Sequence, residues 1–120
     1  MKLILLFLLM ASLLLSAPAL NKTREFTNAD GTTFMAKAQG NHHLNWLKTQ
    51  DGEILKYNKK SKNFEYAQIK DSSLRASGVR YKKNNSKRAR SRGDIENITD
   101  AQLHKLLQER KNIAYRRKLN

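Results

Sequence analysis

Two Asp-Gly pairs, Asp30-Gly31 and Asp51-Gly52, each sit between short runs rich in β-branched and aromatic residues, and they constrain the fold more than any other feature of the chain. Asp-Gly supplies the positive φ that a tight hairpin turn requires. Residues 24–27 and 32–38 flank the first pair, and residues 44–49 and 53–57 flank the second. A further run, 63–69, follows the polar stretch 58–62. Five short strands with turn signals at near-regular spacing predict a small antiparallel β-meander. Within it, period-two alternation places Phe64, Tyr66 and Gln68 on one face and Glu65, Ala67 and Ile69 on the other; Leu44, Trp46 and Lys48 likewise oppose Asn45, Leu47 and Thr49. The expected core draws on Phe26, Phe34, Ala36, Leu44, Trp46, Ile54, Tyr57, Phe64 and Tyr66.

Ahead of the strands, Met1-Lys2 leads into an apolar run over residues 3–15, closed by Ser16-Ala17-Pro18-Ala19. This is the layout of a secretory signal peptide, too short for a spanning helix of about 20 residues. Residues 1–19 are expected to be removed by cleavage after Ala19, leaving Leu20 first and the mature chain secreted or periplasmic. Cysteine is absent, which removes disulfide scaffolds, thiolate metal sites and cysteine nucleophiles together. The β-rich domain is expected over residues 20–81.

Charge then shifts. The chain carries 24 Lys+Arg against 10 Asp+Glu, a formal net charge of +14, and the excess is steepest after Tyr81. Residues 82–93 hold no apolar side chain larger than alanine and read as a basic, solvated linker, open to trypsin-like proteases. Lys82, Lys83, Lys87, Arg88, Arg90 and Arg92 are its candidate polyanion contacts, since clustered cations bind polymeric anions by releasing counterions and are drawn to anionic lipid. No aromatic interrupts them for base stacking, and export removes DNA as a physiological partner. Residues 94–120 are read as an amphipathic basic helix. Thr99 and Gln102 form a capping box, Ile98 and Leu103 a hydrophobic staple, and Leu103, Leu106, Leu107, Ile113 and Ala114 a helical stripe over 100 to about 115.

Catalytic patterns are missing from the sequence. There is no His-Glu-x-x-His to aim two imidazoles at one ion and no nucleophile elbow around a serine. His42 and His43 are adjacent, and in extended chain their rings would point to opposite sides. No catalytic, cofactor-binding or metal-ligating residue is assigned, and the chain reads as a non-enzyme.

Phe26, Asp30-Gly31-Thr32, Gly40, Trp46, Thr49, Asp51-Gly52, Tyr57-Asn58, Tyr66-Ala67 and Ser77-Gly78-Val79 follow one another in an order that resembles the N-terminal region of secreted immune-inhibitor-A-like zinc metalloproteases. The resemblance spans residues 26–79. The family's Asp-Glu after glycine is Asn41-His42 here, its histidine before Trp is Asn45, and its aromatic after Asp-Gly is Glu53. The zinc motif is missing, and the chain stops where the peptidase would begin. The resemblance therefore implies a pro-region-like accessory domain without its enzyme, which binds or chaperones a secreted zinc metalloprotease in trans or is a truncated remnant of one. The alternative is a cationic binder of anionic polymers or a membrane or envelope surface through the basic linker and helix.

Overall fold

The turns fall where the Asp-Gly pairs place them: Gly31 N donates to Asn28 O at 3.0 Å, and Gly52 N to Thr49 O at 3.0 Å. A computed structural model describes residues 22–120; the expected signal peptide lies outside the described residues. Six strands, β1 (Thr23–Thr27), β2 (Thr33–Gly40), β3 (Asn45–Thr49), β4 (Ile54–Asn58), β5 (Asn63–Lys70) and β6 (Ser73–Arg80), form one antiparallel sheet in meander order. Two helices follow, α1 (Ser86–Ser91) and α2 (Asp100–Leu119). The chain is thus mainly β, a meander with a C-terminal helix, as the turn spacing predicts.

The sixth strand is an addition to the five expected. Its connection to β5 is the two-residue turn Asp71-Ser72, both residues at positive φ (52° and 56°). Such a turn normally announces itself with glycine or asparagine, and Asp-Ser does not. Across β5 and β6 the register shifts between Glu65 and Ala67. At this bulge the Gly78 amide donates to the Glu65 carboxylate at 2.9 Å. Asn58 and Ser61 supply two more donors, at 2.9 and 2.8 Å, so a buried acid is held by hydrogen bonds, as burial demands.

The sheet curls. Phe26 and Phe34, on β1 and β2, bring their rings within 5.4 and 5.3 Å of Phe64 on β5. The β1–β2 turn closes over β5 and β6: Asn28 Oδ1 accepts from Phe64 N at 2.9 Å, and Arg80 reaches the Asp30 carboxylate. The hydroxyl and amide of Thr32, followed by Arg80, hold the Asp30 pKa down to about 2. Phe34, Ala36, Leu55, Tyr66 and Tyr81 fill the concave face, which Ala89 and Ile95 close. On the convex face Leu44, Trp46, Ile54, Ala67 and Leu74 pack under Leu103 and Leu106 of α2. Covering both faces explains why Ile54 and Leu55, neighbours of opposite orientation, are both buried, and why Glu65, Tyr66 and Ala67 are buried in succession. Leu55, outside the expected core, is 0% exposed, whereas Tyr57 is 48% exposed.

Helix α2 begins as the capping box predicts, with Gln102 N donating to Thr99 Oγ1 at 3.2 Å and Thr99 N to Gln102 Oε1 at 2.9 Å. It ends at Leu119, a turn past the stripe and within the expected 94–120. Only the first half of the stripe packs; Ile113 is 43% exposed. Arg110 donates to the Ser73 hydroxyl on β6 near the end of the packed part.

Tyr81 links the concave core to the second Asp-Gly turn, its hydroxyl 3.2 Å from Asp51 Oδ1. Burial, followed by the Asp51 charge, pushes its pKa from 10.0 to about 12. The folded state therefore holds this proton more tightly than the unfolded chain does. Its contribution is complete below pH 10 and is lost as pH rises towards about 12. Urea midpoints measured across that window should fall with pH in the native protein and fall less steeply in Tyr81→Phe.

Candidate functional site

The basic stretch 82–93 differs most from its sequence reading: it is not a free solvated linker, because α1 lies within it. Ser86 and Ala89, three residues apart, face inward; the Ser86 hydroxyl meets Tyr66 OH at 2.8 Å, and Ala89 is 1% exposed. Small side chains are what allow a short helix to approach the sheet this closely. The helix ends in a Schellman arrangement, Asp94 N donating to Ala89 O at 2.9 Å and Gly93 N to Arg90 O at 3.0 Å. Ile95 then drops into the core beside Ala89.

The six cations singled out from the sequence divide accordingly. Arg90 places one guanidinium nitrogen 2.8 and 2.7 Å from the two oxygens of Glu53, pinning α1 to the loop before β4. Arg92 pairs with Asp94 at 3.2 Å. Lys82, Lys83, Lys87 and Arg88 are exposed and, among the described residues, are in no ion pair. Arg90 is thus a structural residue and the last four are the available charges. Because Arg90 is part-exposed, Glu53→Ala should cost about 1–2 kcal/mol. The same change should speed tryptic cleavage after Arg88 and Arg90, read by mass spectrometry of a timed digest.

The two adjacent histidines also depart from expectation. Residues 42–44 form a bend rather than extended chain, so the His42 and His43 rings lie side by side, centroids 3.9 Å apart. Desolvation, then the charges of His42, Lys111 and Lys118, lower the His43 pKa. Among the described residues no three His, Cys, Asp or Glu side chains converge as a metal site would require, and no helix is long and apolar enough to cross a membrane.

A second surface was not legible in the sequence. Strands β3 and β4 pair only through Leu47–Leu55 and Lys48–Ile54. On the turn side Thr49 N still donates to Glu53 O at 2.9 Å, but on the other side the ladder stops, and a groove of about 510 Å³ opens there, lined by Trp46, Leu47, Leu55, Tyr57 and Phe64 together with His42, Lys56 and Lys59. Its walls contain no acidic residue. Lys56 Nζ donates to Asn45 O at 2.7 Å and lies 3.4 Å from Asn45 Oδ1, and burial lowers its pKa. The ammonium is therefore held by neutral acceptors in a partly desolvated place. A groove with apolar walls and a cationic rim suits recognition.

No family model, curated protein or solved structure matches this chain. Its functional reading rests on its residues and their geometry.

Proposed function

We propose that this chain is an exported, non-catalytic accessory domain, similar to a metalloprotease pro-region, that binds a secreted zinc metalloprotease in trans. One observation carries the reading: the segment that bears the resemblance is a single continuous sheet, and most of the residues that mark it, Tyr57 apart, occupy its turns, its bulge and its core. Trp46, Tyr66 and Ala67 are buried, Asp51-Gly52 forms a hairpin turn, and Ser77-Gly78 lies in the bulge between β5 and β6. Such a scaffold presents edges and grooves to a partner, and strand addition or steric cover is the means by which a domain without cysteine would block a protease cleft.

The four exposed cations Lys82, Lys83, Lys87 and Arg88 favour the second reading, a binder of anionic polymers or envelope surfaces. Salt separates the two, because counterion release makes polyanion binding fall steeply with ionic strength. The full chain, tagged, is used to capture partners from the exported fraction of its own organism at low and high salt, with mass spectrometry and a protease assay. Recovery of a zinc metalloprotease at both salts supports the accessory-domain reading. Recovery only of anionic polymer or lipid, lost at high salt, overturns it in favour of the cationic binder.

A further inference from the structure

The seam between β3 and β4 combines three properties. The first is unpaired backbone. Across the seam the ladder stops after Leu47–Leu55, so Tyr57 of β4 has no partner in β3; Lys56 and Asn58 turn their main-chain groups to Glu65 and Asn63 of β5, and the Asn45 carbonyl accepts from Lys56 Nζ. Tyr57 therefore presents its N–H and C=O to an incoming chain, as a residue of a sheet edge does.

The second property is charge. Lys56 and Lys59 line the groove with no acid among its walls, and Lys56 is satisfied only by the amide oxygens of Asn45. Removing an ammonium from water without an anion is unfavourable, which is the cause of its lowered pKa. A carboxylate brought to the seam would supply the counter-ion. The third property is apolar wall. Tyr57 stands exposed on β4 with its ring 5.1 Å from Phe64, and Leu47 and Leu55 line the groove beside it, so alternate side chains of an extended ligand would meet apolar surface.

We propose that the β3–β4 seam is a binding site for an extended peptide segment of a protein partner that carries an acidic side chain. The peptide bonds its main chain to Tyr57, sets its carboxylate against Lys56, and lays its apolar side chains on Tyr57 and Leu55. This deepens the reading above, on which it rests, by assigning the part of the domain that takes hold of the protein partner. An anionic polymer or a lipid headgroup lacks the main-chain donors and acceptors that the seam offers, so a peptide is the occupant that uses all three properties.

The test uses the full chain, ¹⁵N-labelled, and two short blocked peptides of alternating valine and threonine, one with a central glutamate and one with glutamine there. The glutamate peptide should shift the amides of residues 45–47 and 55–58. Its affinity should fall about tenfold or more in the glutamine peptide and in Lys56→Gln, as loss of a charge-assisted contact implies. Lys87→Gln, remote from the groove, should leave it unchanged. If Lys56→Gln does not fold, as a thermal melt will show, Lys59→Gln carries the same expectation of weaker binding. Equal affinity for both peptides, shifts confined to residues 82–88, or no binding of the glutamate peptide would each overturn the assignment. Capture of the protease by native protein and Lys56→Gln separates the two levels. Equal capture by both removes the seam and leaves the accessory-domain reading, whereas seam binding of the glutamate peptide with no protease captured supports the site and removes the protease.

Discussion

Gly40→Ala is expected to lose more than about 3 kcal/mol of stability, or to fail to fold, because two independent costs fall on one residue. Gly40 closes β2 at a φ of +91°, and a residue with a side chain held in a sparsely populated backbone region costs about 1–3 kcal/mol. An added Cβ would also collide with the Leu44 carbonyl oxygen and lie 2.9 Å from Asn45 Cα. Both neighbours are backbone, fixed by the pairing of Gly40 with Asn45 and by the 2.8 Å bond from Asn41 N to Leu44 O; neither can swing aside. Gly31→Ala is the control. Gly31 has a similar φ of +86° but nothing within 4 Å of its would-be Cβ, so it should lose clearly less. The single tryptophan, Trp46, is buried in the convex core, and its fluorescence during urea unfolding reads both variants. Equal losses would mean that the collision at Gly40 is relieved by backbone movement.

Leu103→Ala should cost about 2–5 kcal/mol, the range for deleting a fully buried leucine. Leu103 is 1% exposed and, with Leu106, seats the first half of α2 on Trp46, Ile54, Ala67 and Leu74. The ion pair at its start adds little: Lys48–Asp100 at 3.4 Å is surface-exposed, and such pairs contribute about 0–1 kcal/mol. Ile113→Ala, on the projecting half of the same helix, should change stability by no more than about 0.5 kcal/mol. Urea midpoints and amide exchange over residues 100–110 distinguish the two variants. A small effect of Leu103→Ala would mean that α2 is not a structural part of the domain.

The contrast within α2 shows what sequence can convey. Its start was legible because Thr99 and Gln102 encode the cap locally; how far the stripe packs depends on where the sheet ends beneath it, and Ile113 carries no mark of that. The Asp-Gly turns likewise declared four strands, whereas Asp71-Ser72 adopts the same class of turn without the residue that signals it, and β6 went unseen. Helix α1 was hidden for a different reason. Ser86 and Ala89 look too small to anchor anything, but smallness is the requirement at a close helix–sheet contact, and the Glu53 that holds Arg90 lies 37 residues away. The seam at Lys56 arises where the pairing of β3 with β4 stops after Leu47–Leu55, which is a property of two strands together. Alternation within either strand cannot report it.

The packing of α1 and α2 also decides how the functional question must be asked. Removing everything after Tyr81 would strip Ala89 and Ile95 from the concave face and Leu103 and Leu106 from the convex one, so a truncated chain would lose its fold along with its charge. Substitution keeps the fold. The most direct measurement is therefore capture from the exported fraction, at low and high salt, by a variant in which Lys82, Lys83, Lys87 and Arg88 are all changed to glutamine. None of the four is buried or in an ion pair among the described residues, so the variant should unfold like the native protein. Recovery of the same zinc metalloprotease as the native chain, at both salts, is the expected result; loss of every partner on removing these four charges would contradict it and make the basic surface the working part of the molecule.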